Sequence, residues 1–155
     1  PSSSPSTSPT GCSTARATPD PMGAPRGSLH HLELWVADLD AGLDSWGWLL
    51  EHLGYAVGSR WERGASWRLG DAYVVVESGP DVLPEPHERR RPGVNHVAFH
   101  AGSRDEVDAL VASSADHGWT LLFPDRHPYA GGPQHYAAYL EDSQGHEVEL
   151  VADDA

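Results

Sequence analysis

One pattern occurs twice in this chain. Aligned on His31 and His96, the stretches "HLELWVADLDAGLDSWGWLLEHLGY" and "HVAFHAGSRDEVDALVASSADHGW" run in parallel with a single gap. Each copy gives a short strand, a turn with a helix-capping residue, an amphipathic helix, a glycine stop (Gly54, Gly118) and an aromatic residue that opens the next strand. Such repetition means two copies of one supersecondary unit that bury their apolar faces together.

In the first copy Leu39, Leu43, Trp46, Leu50 and Leu53 recur at three- and four-residue spacing, which makes one buried helix face. Gly54 ends that helix by accepting a left-handed backbone. In the second copy Ser103 and Glu106 form a Ser-x-x-Glu capping box ahead of Val107, Leu110 and Val111. After each helix β-prone residues return, over roughly 55–62, 65–69 and 71–78, then 119–123, 134–140 and 146–151. The expected fold class is α+β: two βαβββ modules, 28–78 and 93–152, forming a curled mixed sheet around a metal or ligand cleft.

The linker 79–92 holds four prolines, which exclude a helix or a strand ladder. A second Pro/Gly-rich stretch, 124–133, is expected to be a surface lid, with His127 and His135 near its ends as candidate proton shuttles or outer donors. Residues 1–27 are dense in Ser, Thr, Pro and Gly and are expected to be a disordered tail. Neither a secretory signal nor a membrane span is expected. The only cysteine, Cys12, lies in that tail, so the fold has no thiolate ligand or disulfide, as suits a reducing cytoplasm. A net charge of −13 repels phosphate backbones and anionic membranes, which excludes nucleic acid and membrane surfaces as expected partners. A small molecule is the expected partner.

Side chains alternate across a strand, so parity says which of them meet. Leu32, Leu34 and Val36 share the helix-covered face of the first strand, leaving His31, Glu33 and Trp35 opposite. Val97 and Phe99 leave His96, Ala98 and His100 opposite; Val148 and Leu150 leave Glu147 and Glu149; Val74 and Val76 leave Tyr73, Val75 and Glu77. Burying His beside Glu is costly unless a partner compensates charge and lone pairs. A divalent cation does so, and imidazole with carboxylate suits zinc, nickel, cobalt, manganese or iron. Singly, each residue has an ordinary reading: a strand histidine hydrogen-bonded in the fold, a strand-end carboxylate in water. His30 and His100 are read that way, with His100 also bordering the cleft. The pairing of His31 with His96, and of Glu77 with Glu149, in the repeat is what favours a site.

His31 followed by "LELWVADLD", His96 followed by "VAFHAGSRDEVDAL", and "YAAYLEDSQGHEVEL" ending in the Glu149 strand resemble the vicinal oxygen chelate superfamily, over about residues 28–152. That superfamily includes glyoxalase I, extradiol dioxygenases and bleomycin-resistance proteins. The resemblance implies a metal held by His31, His96 and Glu149, with Glu77 as a fourth ligand, and a Lewis-acid role at neighbouring substrate oxygens. It further implies Glu77 or Glu149 as the base that moves a carbon-bound proton, and assembly as a homodimer. Trp35, Tyr73, His100, His135 and Tyr139 are the expected substrate-cleft residues. The expected activity is that of a metal-dependent glyoxalase-type lyase or isomerase. The alternatives are a drug-sequestering binder of the bleomycin-resistance type, with aromatics stacking on a planar ligand, and ring-cleaving dioxygenation with ferrous iron. Against the dioxygenase pattern, Ser143 replaces its proline and no histidine stands at the required spacing.

Overall fold

A computed structural model of the chain describes residues 25–153, so residues 1–24 of the expected tail lie outside the described residues. The first copy folds as β1 (His31–Trp35), α1 (Leu39–His52), β2 (Ala56–Trp61), β3 (Gly64–Leu69) and β4 (Ala72–Glu77). The second gives β5 (Val97–His100), α2 (Arg104–Ser114) with a 3-10 turn at Ala115–His117, β6 (Thr120–Leu121), β7 (Ala137–Glu141) and β8 (Glu147–Val151). The two four-stranded sheets have equivalent orders, β1-β4-β3-β2 and β5-β8-β7-β6. In each the first strand pairs parallel with the last, and the other pairs are antiparallel. This is the α+β duplication that the repeat predicts.

Local chemistry sets the element ends. Asp38 caps α1 by accepting from Ala41 N at 3.1 Å, and Gly54, just past the helix, takes φ +87°. The Ser103–Glu106 capping box forms as expected, and Gly118 takes φ +76° behind the 3-10 turn. β6 is shorter than the expected 119–123 because Phe123 adopts φ +53°, which takes the chain out of the ladder. β7 starts at Ala137 rather than at residue 134 because His135 N bonds Gly132 O and closes a turn there.

The core lies between the helices and the two sheets. Trp46, Leu49 and Leu50 of α1 meet Trp67, Val74 and Val76, and all but Val74 are fully buried. A buried Trp removes about 150–250 Å² from water, on the order of 4–6 kcal/mol each before ordering entropy. The modules share this core: Trp119 packs edge-on against Trp46 with centroids 5.3 Å apart and donates from Nε1 to Ser45 O at 3.1 Å. Trp46 Nε1 in turn donates to Asp142 Oδ2 at 3.0 Å, in the β7–β8 turn. The linker has neither helix nor strand and is fastened to that turn by His87 N donating to Gln144 O at 2.8 Å. No helix among the described residues is long and apolar enough to cross a membrane.

Candidate functional site

Register builds the site. Tyr139 of β7 lies directly opposite Glu149 of β8, on the face away from the helices, because Leu140, Val148 and Leu150 occupy the core side. Tyr139 donates its hydroxyl to Glu149 Oε1 at 2.5 Å, and His135 Nε2 reaches the same oxygen at 2.5 Å. His96 Nε2, at the entrance to β5, stands 3.2 Å from the other oxygen, Oε2. Burial pushes the Glu149 carboxyl up, but the bonds from Tyr139 and His135 and the nearby imidazoles outweigh it, and its pKa falls below the ordinary value. Burial, then the bond to Glu149, raises the Tyr139 phenol, which stays a donor.

Asn95 decides which nitrogen of His96 carries the proton. Its amide Nδ2 donates to Arg89 O at 2.9 Å, which turns Oδ1 toward His96 Nδ1 at 2.8 Å. Nδ1 therefore donates, which leaves Nε2 facing the carboxylate oxygen, with a lone pair whenever the ring is neutral. Two lone pairs at 3.2 Å call for a proton or a cation between them.

Beside this group, Glu147 is buried on the same face. Arg89 of the linker places Nη1 2.8 Å from Glu147 Oε2 and Nε 3.4 Å from Glu141 Oε1, with its guanidinium 5.5 Å over the Phe123 ring. The Glu147 contact is ionic in distance without hydrogen-bond alignment. Burial raises the Glu147 carboxyl, and the Arg89 charge offsets only part of that.

The first module presents the equivalent face. His31 stacks on its register partner Tyr73, centroids 4.9 Å apart and planes 6° from parallel, and its Nδ1 lies 2.9 Å from His30 Nδ1. Trp35 donates to Glu33 Oε1 at 2.7 Å and pairs in register with Glu77, which lines a recess with Trp61 and Arg63. His100 is exposed and bonds Asp153 Oδ1 at 2.5 Å. So the second module brings His96, Glu149, His135 and Tyr139 together. His31, Tyr73, Trp35 and Glu77 sit on the first sheet, and His100 stands apart with Asp153. Among the described residues no group of three or more His, Cys, Asp or Glu side chains is spaced to hold a metal ion.

A cavity of about 280 Å³ lies where β1 faces the start of β5, lined by Leu32, Leu34, Trp35, Trp46, His96 and His146 among others. The basic run 87–91 marks Arg89 in the sequence as an anion-binding or solvated residue, and the structure gives it the carboxylate of Glu147. The adjacency Asn95-His96 is the sequence signal for Asn95; no pattern gives His146.

A family model described as the Glyoxalase/Bleomycin resistance protein/Dioxygenase superfamily matches residues 30–139. The chain belongs to that superfamily. It is 43% identical over 125 residues to the uncharacterized protein YqjT of Bacillus subtilis (strain 168), covering 80% of this chain and 98% of that one. A glyoxalase-like crystal structure from Bacillus halodurans is 44% identical with a TM-score of 0.76, covering 82% of this chain and 96% of that chain. A glyoxalase/bleomycin resistance protein from Albidiferax ferrireducens T118, 22% identical with a TM-score of 0.64, covers 80% of this chain and 97% of its own and shares the fold.

Superfamily members typically use divalent metals. The His96–Glu149 pair fits half of such a site: the donor types are right, and 3.2 Å is the separation of two neighbouring ligands on one ion at bond lengths of about 2.0–2.2 Å. Asn95 supplies the outer hydrogen bond that a ligating imidazole uses to fix its tautomer. The other expected ligands, His31 and Glu77, lie on the first sheet.

Proposed function

We propose that this protein is a divalent-metal-dependent, glyoxalase-like enzyme that moves a carbon-bound proton in a small substrate carrying adjacent oxygens. The observation that carries the reading is His96 Nε2 facing Glu149 Oε2 at 3.2 Å while Tyr139 and His135 occupy Oε1. We place the rest of the site across a homodimer, in which the partner's His31 and Glu77 complete what His96 and Glu149 begin. The solvent-open, helix-distal side of β1, where His31, Glu33 and Trp35 are all exposed, supports that arrangement. A cytoplasmic location suits a fold without cysteine.

A bound divalent ion would polarise the substrate's adjacent oxygens as a Lewis acid. This chain's own residues do the remainder. Asn95 holds the His96 tautomer. Tyr139 and His135 hold Glu149 at Oε1 and leave Oε2 facing His96. A carboxylate, Glu149 or the partner's Glu77, takes the proton from carbon. His135, bonded to Glu149 and open to water, exchanges that proton with solvent.

The test is carbon-bound hydrogen exchange in D2O, followed by proton NMR on hydroxyacetone and 2-hydroxyacetophenone. Exchange is expected with the metal-loaded protein and is expected to vanish in Glu149→Gln. Metal-loaded protein that exchanges neither compound would overturn the reading.

A further inference from the structure

The β7–β8 turn carries a second histidine–carboxylate arrangement outside the Glu149 group. Asp142, with its side chain fully buried, accepts from Trp46 Nε1 at 3.0 Å, from the backbone N of Gln144 at 2.9 Å and of His146 at 2.8 Å, and meets His146 Nδ1 at 3.0 Å. An acceptor-only carboxylate makes His146 Nδ1 the donor, so the lone pair of the neutral ring lies on Nε2. Closing the turn needs only Asp142 and backbone; the histidine adds a second nitrogen that has no protein partner among the described residues. His146 lines the 280 Å³ cavity between β1 and β5 and also an adjoining recess of about 350 Å³ under the linker. His87 stacks on it, centroids 5.1 Å apart and planes 3° from parallel, and donates from Nε2 to Val94 O at 3.2 Å.

We propose that this cavity is the substrate-selecting pocket of the enzyme and that it takes an uncharged, single-ring aryl α-hydroxyketone, whose hydroxyl is met by His146 Nε2. The claim rests on the proposed function and names its substrate class. Size, shape and charge agree on it. An engineered apolar cavity of about 150 Å³ accepts benzene, so this one holds a substituted ring. Its walls carry the aromatic rings of Trp35, His87 and His146 together with Leu32 and Leu34, which favours ring stacking. The net charge of −13, with Glu33 and Glu147 in the same walls, disfavours anions. His96 lines the same cavity and contacts Glu149 at 3.2 Å, so that one side chain links the pocket to the Glu149 group.

The experiment titrates the full-length, metal-loaded chain, labelled with 15N in its histidine rings, with 2-hydroxyacetophenone. The ring signals assigned to His146 from the His146→Asn spectrum are expected to shift and saturate, and His146→Asn is expected to weaken binding about tenfold, the loss of one hydrogen bond. Val94→Trp, at an exposed position on the cavity wall, is expected to block the probe while the thermal midpoint stays unchanged. Binding that leaves the His146 signals still, or that survives both substitutions, overturns the proposal. His146-dependent binding without any carbon-hydrogen exchange supports the pocket and counts against the proposed reaction. Exchange of hydroxyacetone without binding of the aryl probe supports the reaction and overturns the pocket.

Discussion

Gln144 clasps both backbone groups of Asp38: its Nε2 donates to Asp38 O at 2.9 Å and its Oε1 accepts from Asp38 N at 2.8 Å, across 106 residues of sequence. One amide in the β7–β8 turn thus ties the second module to the start of α1. Gln144→Ala leaves Asp38 N without its partner, while Asp38 O keeps the bond from Gly42 N at 3.0 Å, at a cost of about 1–2 kcal/mol. The thermal midpoint should drop by about 2–4 °C per kcal/mol for a domain of this size. An unchanged midpoint contradicts the clasp.

Gly145, the next residue, has φ +87°, and a Cβ there would collide with the carbonyl oxygen of His87. Gly145→Ala should push the linker off the turn and cost about 2 kcal/mol or more, from the backbone conformation and the clash together. Trypsin should then cut after Arg89 and Arg90 markedly faster than in the wild type. Equal cutting rates would show the linker is not held there.

Glu147 has a side chain only 2% exposed, and Arg89 supplies its counter-charge. Arg89→Met strands a buried carboxylate, a loss of about 3–5 kcal/mol. Arg89→Met with Glu147→Met removes both charges and should recover most of it. A double-mutant cycle in urea reads the coupling, and additive effects would deny the pair.

Asp142 has its pKa held below the ordinary value; burial pushes it up, but the bonds and charge of His146 and the indole of Trp46 outweigh that. The folded value is the lower one, so its stabilisation is present above the unfolded aspartate pKa of about 3.9 and is lost as pH falls through the folded value. The stability gap between wild type and Asp142→Asn should therefore be constant near neutrality and narrow below about pH 4. A gap that widens with acid contradicts the sign.

Much of this was legible because it is periodic. The His31/His96 alignment predicts the duplicated order of strands and helix, and the parity of β1, β4, β5 and β8 predicts which side chains leave the core. Tyr139 and Glu149 on one face follow from the same rule, and His135 from its place beside the lid loop. Boundaries set by a single torsion, such as Phe123 ending β6, have no periodic signature. Nor do contacts made by irregular chain: Arg89 reaches Glu147 from a proline-rich linker, and the parallel contact of His87 with His146 depends on how that linker is pinned at Gln144. Parity places His31 on the correct face but says nothing of its stacking on Tyr73.

The pairing of His96 and Glu149 as half of a shared metal site is tested most directly by mixing two defective variants. His31→Ala and Glu149→Gln, each alone, should bind no stoichiometric divalent metal. Unfolded and refolded together they should regain it, because one site of each mixed dimer then has every ligand intact. A mixture that stays metal-free, while the wild type refolded in parallel binds metal, contradicts a site built from two protomers; a wild type that binds no divalent metal contradicts the account altogether.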